Sequence, residues 1–189
     1  MPISINGSGT VTGISVGGLP DGCVDTDTLA TSVTRGTILQ VVQTFKNDST
    51  SYTGNNMLSW VDISGMSVSI TPTSSSSKVL VSFVACVSTD SADRNNSIRL
   101  LRDSTNICIS TAGSSTNAAI VDKTFADKYI MNFTQTFLDS PNTTSATTYK
   151  LAWAAEGSGG SAKTYYLNRK GQSAGSGAVS SITVMEVAA

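Results

Sequence analysis

The stretch KVLVSFVACVST, from Lys78 to Thr89, decides the fold. In an extended strand, successive side chains point to opposite faces. One face of this stretch carries Val79, Val81, Phe83, Ala85 and Val87, and the other carries Leu80, Val84 and Cys86. Because both faces are apolar, the stretch is typical of a central strand, or of a strand that another subunit covers.

Apolar runs of strand length continue on both sides of this stretch, and turn-forming residues separate them. They are TILQVVQTF (37–45), MLSWVDI (57–63), MSVSIT (66–71), SIRLLRD (97–103), NICIS (106–110), AAIVD (118–122), KYIMNFTQTFLD (128–139), TTYKLAWAAE (147–156), TYYLN (164–168) and SSITVMEV (180–187). MSVSIT alternates apolar and hydroxyl side chains, as a sandwich strand with one wet face does. Short strands at this spacing predict an all-β protein, an antiparallel β-sandwich with a jelly-roll-like arrangement.

The first 35 residues differ from the rest in composition. Their apolar side chains alternate with small polar ones, but five glycines interrupt any long ladder. The apolar residues are Ile3, Ile5, Ile14, Val16 and Leu19, and the glycines are Gly7, Gly9, Gly13, Gly17 and Gly18. Such a segment is either a flexible tail or an arm that becomes ordered against another chain. We therefore predict an extended N-terminal arm over 1–35 and a β-sandwich knob over 36–189.

The bulk composition excludes several classes of function. With a formal net charge of −1 and 13% charged residues, the chain has no basic field to hold nucleic acid. No apolar run approaches the roughly 20 residues that a membrane span needs, so we expect no membrane insertion. No signal peptide is recognisable, and we expect synthesis in a cytosol. Of the three cysteines, Cys86 and Cys108 are predicted to be small buried apolar residues rather than a bridge.

The sequence offers little for catalysis. Histidine is absent, which removes the usual general base and the commonest metal ligand. A glycosidase needs only two carboxylates. The candidates are Asp90, Asp93, Asp122, Asp127, Asp139 and Glu156, most of them at strand ends, where a solvated turn residue is usual. The cluster of Asp21, Asp25 and Asp27 lacks the twelve-residue calcium loop with its final glutamate. We predict no enzyme activity, no cofactor and no metal site.

Surface contacts are the remaining candidates for function. Three arginines lie within one hairpin-sized piece: Arg94, Arg99 and Arg102. They form either ion pairs or a surface that binds a partner or an acidic glycan.

Four aromatic residues are candidate sugar-stacking platforms: Trp60, Trp153, Tyr165 and Tyr166. Trp153 is predicted to lie in the core, and one of the two tyrosines is predicted to be exposed. Polar loops over 90–96, 110–117 and 157–163 are candidate contact loops. The predicted surface or receptor contacts are Arg94, Asn95, Asn96, Tyr165 and Tyr166.

The chain resembles small virion proteins of tailed phages, especially phages of marine and freshwater bacteria such as cyanophages. The resemblance runs from MPISINGSGTVTGISVGGLPDGCVDTDTLA through GTILQVVQTFK, DISGMSVSITPTSSSSKVLV, IRLLRDSTNI and YLNR, and covers nearly the whole chain. Its most specific parts are FLDSPNTTSATTYKL and the closing ITVMEV. It carries no catalytic motif.

The resemblance implies a virion protein with a trimeric, jelly-roll-like knob behind a short attachment segment. Residues 1–35 then become an assembly arm, which contacts other virion proteins of the tail or the capsid. A short tail fibre that touches a host-surface glycan is the first expectation, and a capsid decoration protein is the alternative. An arm of 35 residues reaches at most about 120 Å, which favours decoration. A polysaccharide-acting enzyme is a remote third.

Overall fold

The computed structural model describes residues 37–92, 94–112, 118–123, 129–156, 160–171 and 175–189. These residues belong to the compact unit Gly36–Ala189. Their strands are β1 (Ile38–Lys46), β2 (Thr50–Gly54), β3 (Val61–Ile70), β4 (Lys78–Thr89), β5 (Asn95–Arg102), β6 (Thr105–Ile107), β7 (Ile120–Lys123), β8 (Met131–Asp139), β9 (Thr147–Ala155), β10 (Lys163–Leu167) and β11 (Ser180–Val187). The predicted arm, with Ile3, Ile5, Ile14, Val16 and Leu19, lies outside the described residues.

The strands form two antiparallel sheets. In sheet A, β4 is central: β8 pairs with one edge of it, and β11 followed by β10 pair with the other. Strands β1 and β2 flank β11 and β10. In sheet B the order is β3, β9, β5, and then β6 and β7 together at the far edge. The central position predicted for the KVLVSFVACVST stretch is confirmed.

The connectivity is that of a jelly roll. Three pairs of strands each share one position in a sheet: β1 with β2, β6 with β7, and β10 with β11. Counting each pair as one strand leaves eight strands in chain order. The strand order across sheet A is then first, eighth, third, sixth, and across sheet B it is second, seventh, fourth, fifth. Two four-stranded sheets connected in this way are the double Greek key of jelly rolls. The predicted fold class, an antiparallel β-sandwich of jelly-roll-like form, is confirmed.

The core lies between the two sheets and follows from the strand alternation. In β4 the side chains from Val79 to Val87 at every second position are at most 1% exposed. In β3, Met66, Val68 and Ile70 are buried, and the hydroxyl residues between them are exposed, as predicted. Other large core side chains are Ile98, Leu100, Tyr149, Leu151, Trp153, Tyr165, Leu167, Ile182 and Val184.

The strands differ from the sequence prediction at two places. The runs MLSWVDI and MSVSIT were expected as two strands, but residues from Val61 onward form the single strand β3. Gly65, at φ 78°, takes up the shift in register between Asp62 and Ser67. Strand β2 was not predicted, because TSYTG contains no apolar run; its ladder with β10 stabilises it.

The two ends of the sandwich have different contents. At one end, called the base, Val187 lies opposite Lys78, and the amide of Ala188 donates a hydrogen bond to the carbonyl of Thr37 (3.0 Å). The first and last described residues therefore lie at the base, next to the loop 71–77. At the other end, called the loop end, Tyr165 lies opposite Thr89. Strands β2, β4 and β9 end there, and β3, β5 and β10 begin there.

A buried carboxylate ties the base together. Glu186 is 0% exposed, and it accepts hydrogen bonds from the amide and hydroxyl of Thr73 (2.8 Å each) and from Nε2 of Gln40 (2.6 Å). Burial is the largest single influence on this group and raises its pKa. The hydrogen bonds, including one from Ser77, together outweigh burial and lower the pKa of Glu186 to about 2.

Candidate functional site

Tyr165 braces the loop end from inside. Its side chain is 1% exposed, and its hydroxyl accepts a hydrogen bond from the amide of Glu156 (2.9 Å). The same hydroxyl lies 3.0 Å from the carbonyl oxygens of Asn95 and Glu156, to either of which it can donate. The Glu156 carboxylate accepts a hydrogen bond from the amide of Asn95 (2.7 Å). Burial raises the pKa of the Tyr165 hydroxyl, so this group is a neutral tie between β5, β9 and β10.

Two of the five predicted contact residues do not reach the surface. Tyr165 points into the core because it alternates with Tyr166 along β10, and Tyr166 is the half-exposed member of the pair. Asn96 is 1% exposed, because β5 is enclosed there by β7 on one side and β9 on the other. Arg94 and Asn95 are half-exposed at the start of β5. A surface contact at the loop end therefore has Arg94, Asn95 and Tyr166 to draw on.

Two cations on the segment that follows β10 each lie over an aromatic ring. The guanidinium of Arg169 lies 4.3 Å from the centre of the Tyr166 ring, and the ammonium of Lys170 lies 4.8 Å from the centre of the Tyr129 ring. Tyr129 is 59% exposed. We call Tyr129, Tyr166, Arg169 and Lys170 the cation–aromatic patch. Within the described part of the chain, neither cation has a carboxylate partner.

Sequence reasoning missed three of these four residues. For Arg169 and Lys170, the sequence signal that could have identified them is the run YLNRK, in which two cations closely follow a tyrosine on the outward face of a strand. The backbone there is fixed by Asn168, which has φ 63° and is buried. Its side-chain amide donates to the carbonyls of Lys46 (2.8 Å) and Asp48 (3.0 Å). Asparagine tolerates the left-handed region better than most residues, which suits it to this turn.

The three arginines of the β5 region do not form one surface. Nη1 of Arg102 contacts both oxygens of Asp139 (2.8 and 2.9 Å) at the base. Arg99 lies on the outer face of sheet B, with its guanidinium 3.9 Å from the centre of the Trp60 ring. Arg94 lies at the loop end. The ion-pair interpretation therefore describes Arg102, and a shared gripping surface is wrong for the set.

The two tryptophans, Trp60 and Trp153, lie in different environments. Trp153 is 3% exposed and stacks on Tyr52, with ring centroids 6.1 Å apart, as the predicted core position requires. Trp60 is half-exposed, but the Arg99 guanidinium covers one face of its ring. A sugar could therefore stack on only the opposite face of Trp60.

Two of the candidate carboxylates lie at opposite ends of the sandwich. Asp139, at the base, accepts hydrogen bonds from Arg102 and from the hydroxyl of Tyr149 (2.7 Å). Glu156 lies at the loop end, so these two cannot flank one glycosidic bond. Asp93, Asp127 and the side chain of Asp122 lie outside the described residues.

No three His, Cys, Asp or Glu side chains among the described residues are close enough to share a metal ion. No helix in this part of the chain is long and apolar enough to cross a membrane. Cys86 is free and buried, as predicted, and Cys108 is free and half-buried.

No protein-family model matches the chain, and no curated protein matches it. Several solved structures are similar to it in fold. The structure of the Gt strain of infectious bursal disease virus is 15% identical, with a TM-score of 0.40, over 79% of this chain and 38% of that chain. The T13 particle of the same virus is 15% identical, with a TM-score of 0.40, over 78% of this chain and 38% of that chain. Its VP2 subviral particle is 15% identical, with a TM-score of 0.37, over 78% of this chain and 40% of that chain.

The chain spans about two fifths of the length of these viral chains. At such low identity, the similarity concerns the fold alone.

Proposed function

We propose that the chain is a non-enzymatic structural protein of a phage virion, a short homotrimeric tail fibre that contributes to host attachment. The sequence resemblance over nearly the whole chain supports the virion assignment. The observation that carries the fibre interpretation is the opposite placement of the base and the loop end. Thr37, where the described chain begins, lies at the base, and β2, β4 and β9 run out at the other end.

This placement gives each end a separate task. The strands adjoining Thr37 expose Ile38 (53%) and Leu39 (45%), apolar side chains that a neighbouring virion protein could cover. In this proposal residues 1–35 attach the knob to the virion, through Ile3, Ile5, Ile14, Val16 and Leu19. The loop end, opposite Thr37, is then free to meet a host cell.

The contact with the host is proposed to be a glycan with acidic groups. Exposed aromatic rings stack on sugar faces, and Arg169 and Lys170 have no carboxylate of the described chain to satisfy them. Arg94, Asn95 and Tyr166 lie on the same half of the knob. Contacts of this kind are weak one at a time, and three copies on one fibre would strengthen them by avidity.

Competition for phage adsorption tests this function. Purified protein is added to host cells, and the concentration that halves adsorption is compared with that of a chain carrying Arg169→Ala and Lys170→Ala. We expect the double variant to need about tenfold more protein, because it loses the charge contacts of every copy. Lys150→Ala, which removes a cation from sheet B, serves as the matched control and should compete like the wild type. Wild-type protein that fails to compete at any concentration would contradict a role in host attachment.

A capsid decoration protein is the second candidate. The exposed Ile38 and Leu39 suit a contact with a shell protein as well as with a tail protein. The number of copies per purified virion, measured by quantitative mass spectrometry against the major capsid protein, separates the two. A few to a few dozen copies would support a fibre, and hundreds in fixed ratio to the shell protein would support decoration.

A further inference from the structure

The lower half of the outer face of sheet A carries side chains in three rows that run across four strands. Register places them in line: each residue lies directly opposite the next on β1, β11, β4 and β8. From the base upward the rows are Val41, Met185, Leu80 and Leu138; then Gln43, Thr183, Ser82 and Thr136; then Phe45, Ser181, Val84 and Thr134. We call these twelve residues the uncharged face.

The uncharged face combines exposure with a complete lack of charge. Val41 (56%), Phe45 (59%) and Leu138 (54%) are more exposed than covered. Exposed strands usually carry charged residues, because charge keeps them soluble and apart. Here the next outward residue of β4 towards the base is Lys78, and its ammonium is bonded to the hydroxyl of Ser140 (2.7 Å).

The polar middle row is already internally bonded. Nε2 of Gln43 donates to the hydroxyl of Thr183 (2.7 Å), and the hydroxyl of Thr136 donates to Ser82 (3.3 Å). Burying polar groups costs least when they keep their hydrogen bonds. The row can therefore be covered by another protein surface without leaving these groups unpaired.

The upper half of the same face is covered by the chain itself. The hydroxyl of Ser88 donates to the carbonyl of Arg169 (2.6 Å), and the thiol of Cys86 donates to the carbonyl of Val179 (3.1 Å). A Cβ on Gly171 would lie 2.0 Å from the carbonyl oxygen of Thr89, so only glycine permits this close approach. The described residues between β10 and β11 thus cover the upper rows and leave the uncharged face open.

The strand β8 adds a second unprotected feature at the border of this face. It pairs only with β4 in the part of the chain that the structure describes. Its nine residues, MNFTQTFLD, contain no lysine and no proline, the residues that natural proteins use to guard a free edge. Its single charged residue, Asp139, is tied to Arg102 at the base.

The size of the face fits contact with a protein of similar dimensions. Four strands about 4.8 Å apart and three outward rows about 6.8 Å apart give about 400 Å² of sheet plane. Two such faces together give about 800 Å², and the free edge of β8 brings the contact towards the roughly 1,000 Å² expected of a specific interface. A surface without charged residues cannot select a partner of opposite charge. It also does not repel an identical surface, so a second copy of the chain can bind to it.

We infer that the uncharged face, with the free edge of β8, is where a second copy of this chain binds. This inference rests on the self-association in the proposed function and names the surface that provides it. The apolar side chains of the lowest and highest rows supply the contact energy, and the polar row between them fixes how the copies align. Around a threefold axis, this face of each copy would point towards its neighbours and leave the outer face of sheet B in solvent.

Sedimentation of the full-length chain over a range of concentrations tests the inference. We expect the wild type to associate, and a chain with both Val41→Lys and Leu138→Lys to remain a monomer, with a dissociation constant raised about 100-fold or more. Val121→Lys is the matched control, since Val121 is a strand valine of sheet B that is 46% exposed. It should associate like the wild type, and unchanged far-ultraviolet circular dichroism shows that each variant is folded.

A labelling experiment covers the case in which the lysine variants do not fold. In Val41→Cys, the rate of maleimide labelling at residue 41, followed by peptide mass spectrometry, should rise on dilution as copies separate. In Val121→Cys, the rate at residue 121 should not depend on concentration. Equal behaviour of the two sites would overturn the inference.

Two further sedimentation results would overturn the inference without deciding whether the chain is a virion protein. A wild type that stays monomeric at about 100 μM overturns the inference and the self-association, while virion copy number is measured independently. A wild type that associates together with the doubly substituted chain overturns the assignment to this face alone.

Discussion

The two outer faces of the sandwich differ although the two inner faces are alike. Both inner faces are apolar and meet in one core. The outer face of sheet B is charged: Lys150 pairs with Asp62 (2.7 Å), and Arg99 lies over Trp60 (3.9 Å). The outer face of sheet A carries the uncharged face, in which an apolar row (Val41, Met185, Leu80 and Leu138) is followed by a polar row and then by a mixed row.

This difference separates folding from assembly. The inner faces need only be apolar and complementary in volume, and both sheets meet that requirement in the same way. The outer faces are not needed for folding, so their chemistry reports what surrounds the knob. Sheet B is built to face water, and sheet A is built to be covered.

The largest expected effect comes from truncating an inward-facing residue of β4, compared with its outward-facing neighbour. Phe83 points inward and is 1% exposed, whereas Val84 points to the uncharged face and is half-buried. Phe83→Ala should lower the free energy of unfolding by about 3–5 kcal/mol through loss of apolar contact and a cavity. Val84→Ala, compared at concentrations where the chain is monomeric, should cost less than about 1 kcal/mol. Urea unfolding measures both, and equal losses would mean that the outer face belongs to the core.

The next effect tests a buried carboxylate of sheet A that is bonded to sheet B. Asp139 is buried, and it receives hydrogen bonds from Arg102 and Tyr149 of sheet B. Asp139→Ala should cost about 2–3 kcal/mol, because a half-exposed guanidinium and a buried hydroxyl lose their acceptor. Asp139→Asn keeps one acceptor oxygen and should recover part of the loss. A melting temperature that is unchanged in the alanine variant would show that this contact does not join the sheets.

A smaller effect concerns pH and the buried carboxylate of β11. The folded state lowers the pKa of Glu186 from 4.5 to about 2. The unfolded chain therefore takes up the proton first as the pH falls, and folding loses stability. The stabilisation is complete above about pH 5 and declines from about pH 4.5 towards pH 2. We expect melting temperatures between pH 5 and pH 3 to fall more for the wild type than for Glu186→Gln. Parallel curves for the two proteins would exclude Glu186 as a source of acid sensitivity.

The smallest effect is expected on the charged outer face. Asp62, whose side chain is 58% exposed, pairs with Lys150. Asp62→Asn should change the free energy of unfolding by less than about 0.5 kcal/mol, since water and salt screen such pairs. Denaturant midpoints in low and high salt provide the measurement. A loss above about 1 kcal/mol would mean that the face of sheet B is structural and would weaken the contrast between the faces.

Local patterns predicted most of the strands and the side chains that fill the core. The alternation in SSITVMEV placed β11 at Ser180–Val187 with the bounds that the structure shows. The alternation in β4 also identified an apolar outer face before any partner strand was known. Strand β2 escaped prediction, because its five residues pair through backbone groups and carry no apolar pattern.

The candidate site was harder to predict, because its members come from distant parts of the chain. Tyr165 and Asn96 looked like surface residues in sequence, and they became buried only through their neighbours on β4, β7 and β9. Arg169 and Lys170 are contiguous, but the turn at Asn168 brings Lys170 to Tyr129. No periodicity within one strand encodes a contact of this kind.

The sequence by itself determined the fold class, because the side-chain period of two and the positions of turn formers are local properties of a strand. It also determined that β4 is apolar on both sides. Only the tertiary structure decided which outward residues join into a surface. Row alignment depends on the register between β1, β11, β4 and β8, which are separated by up to about 140 residues and meet through backbone hydrogen bonds that carry no sequence signature.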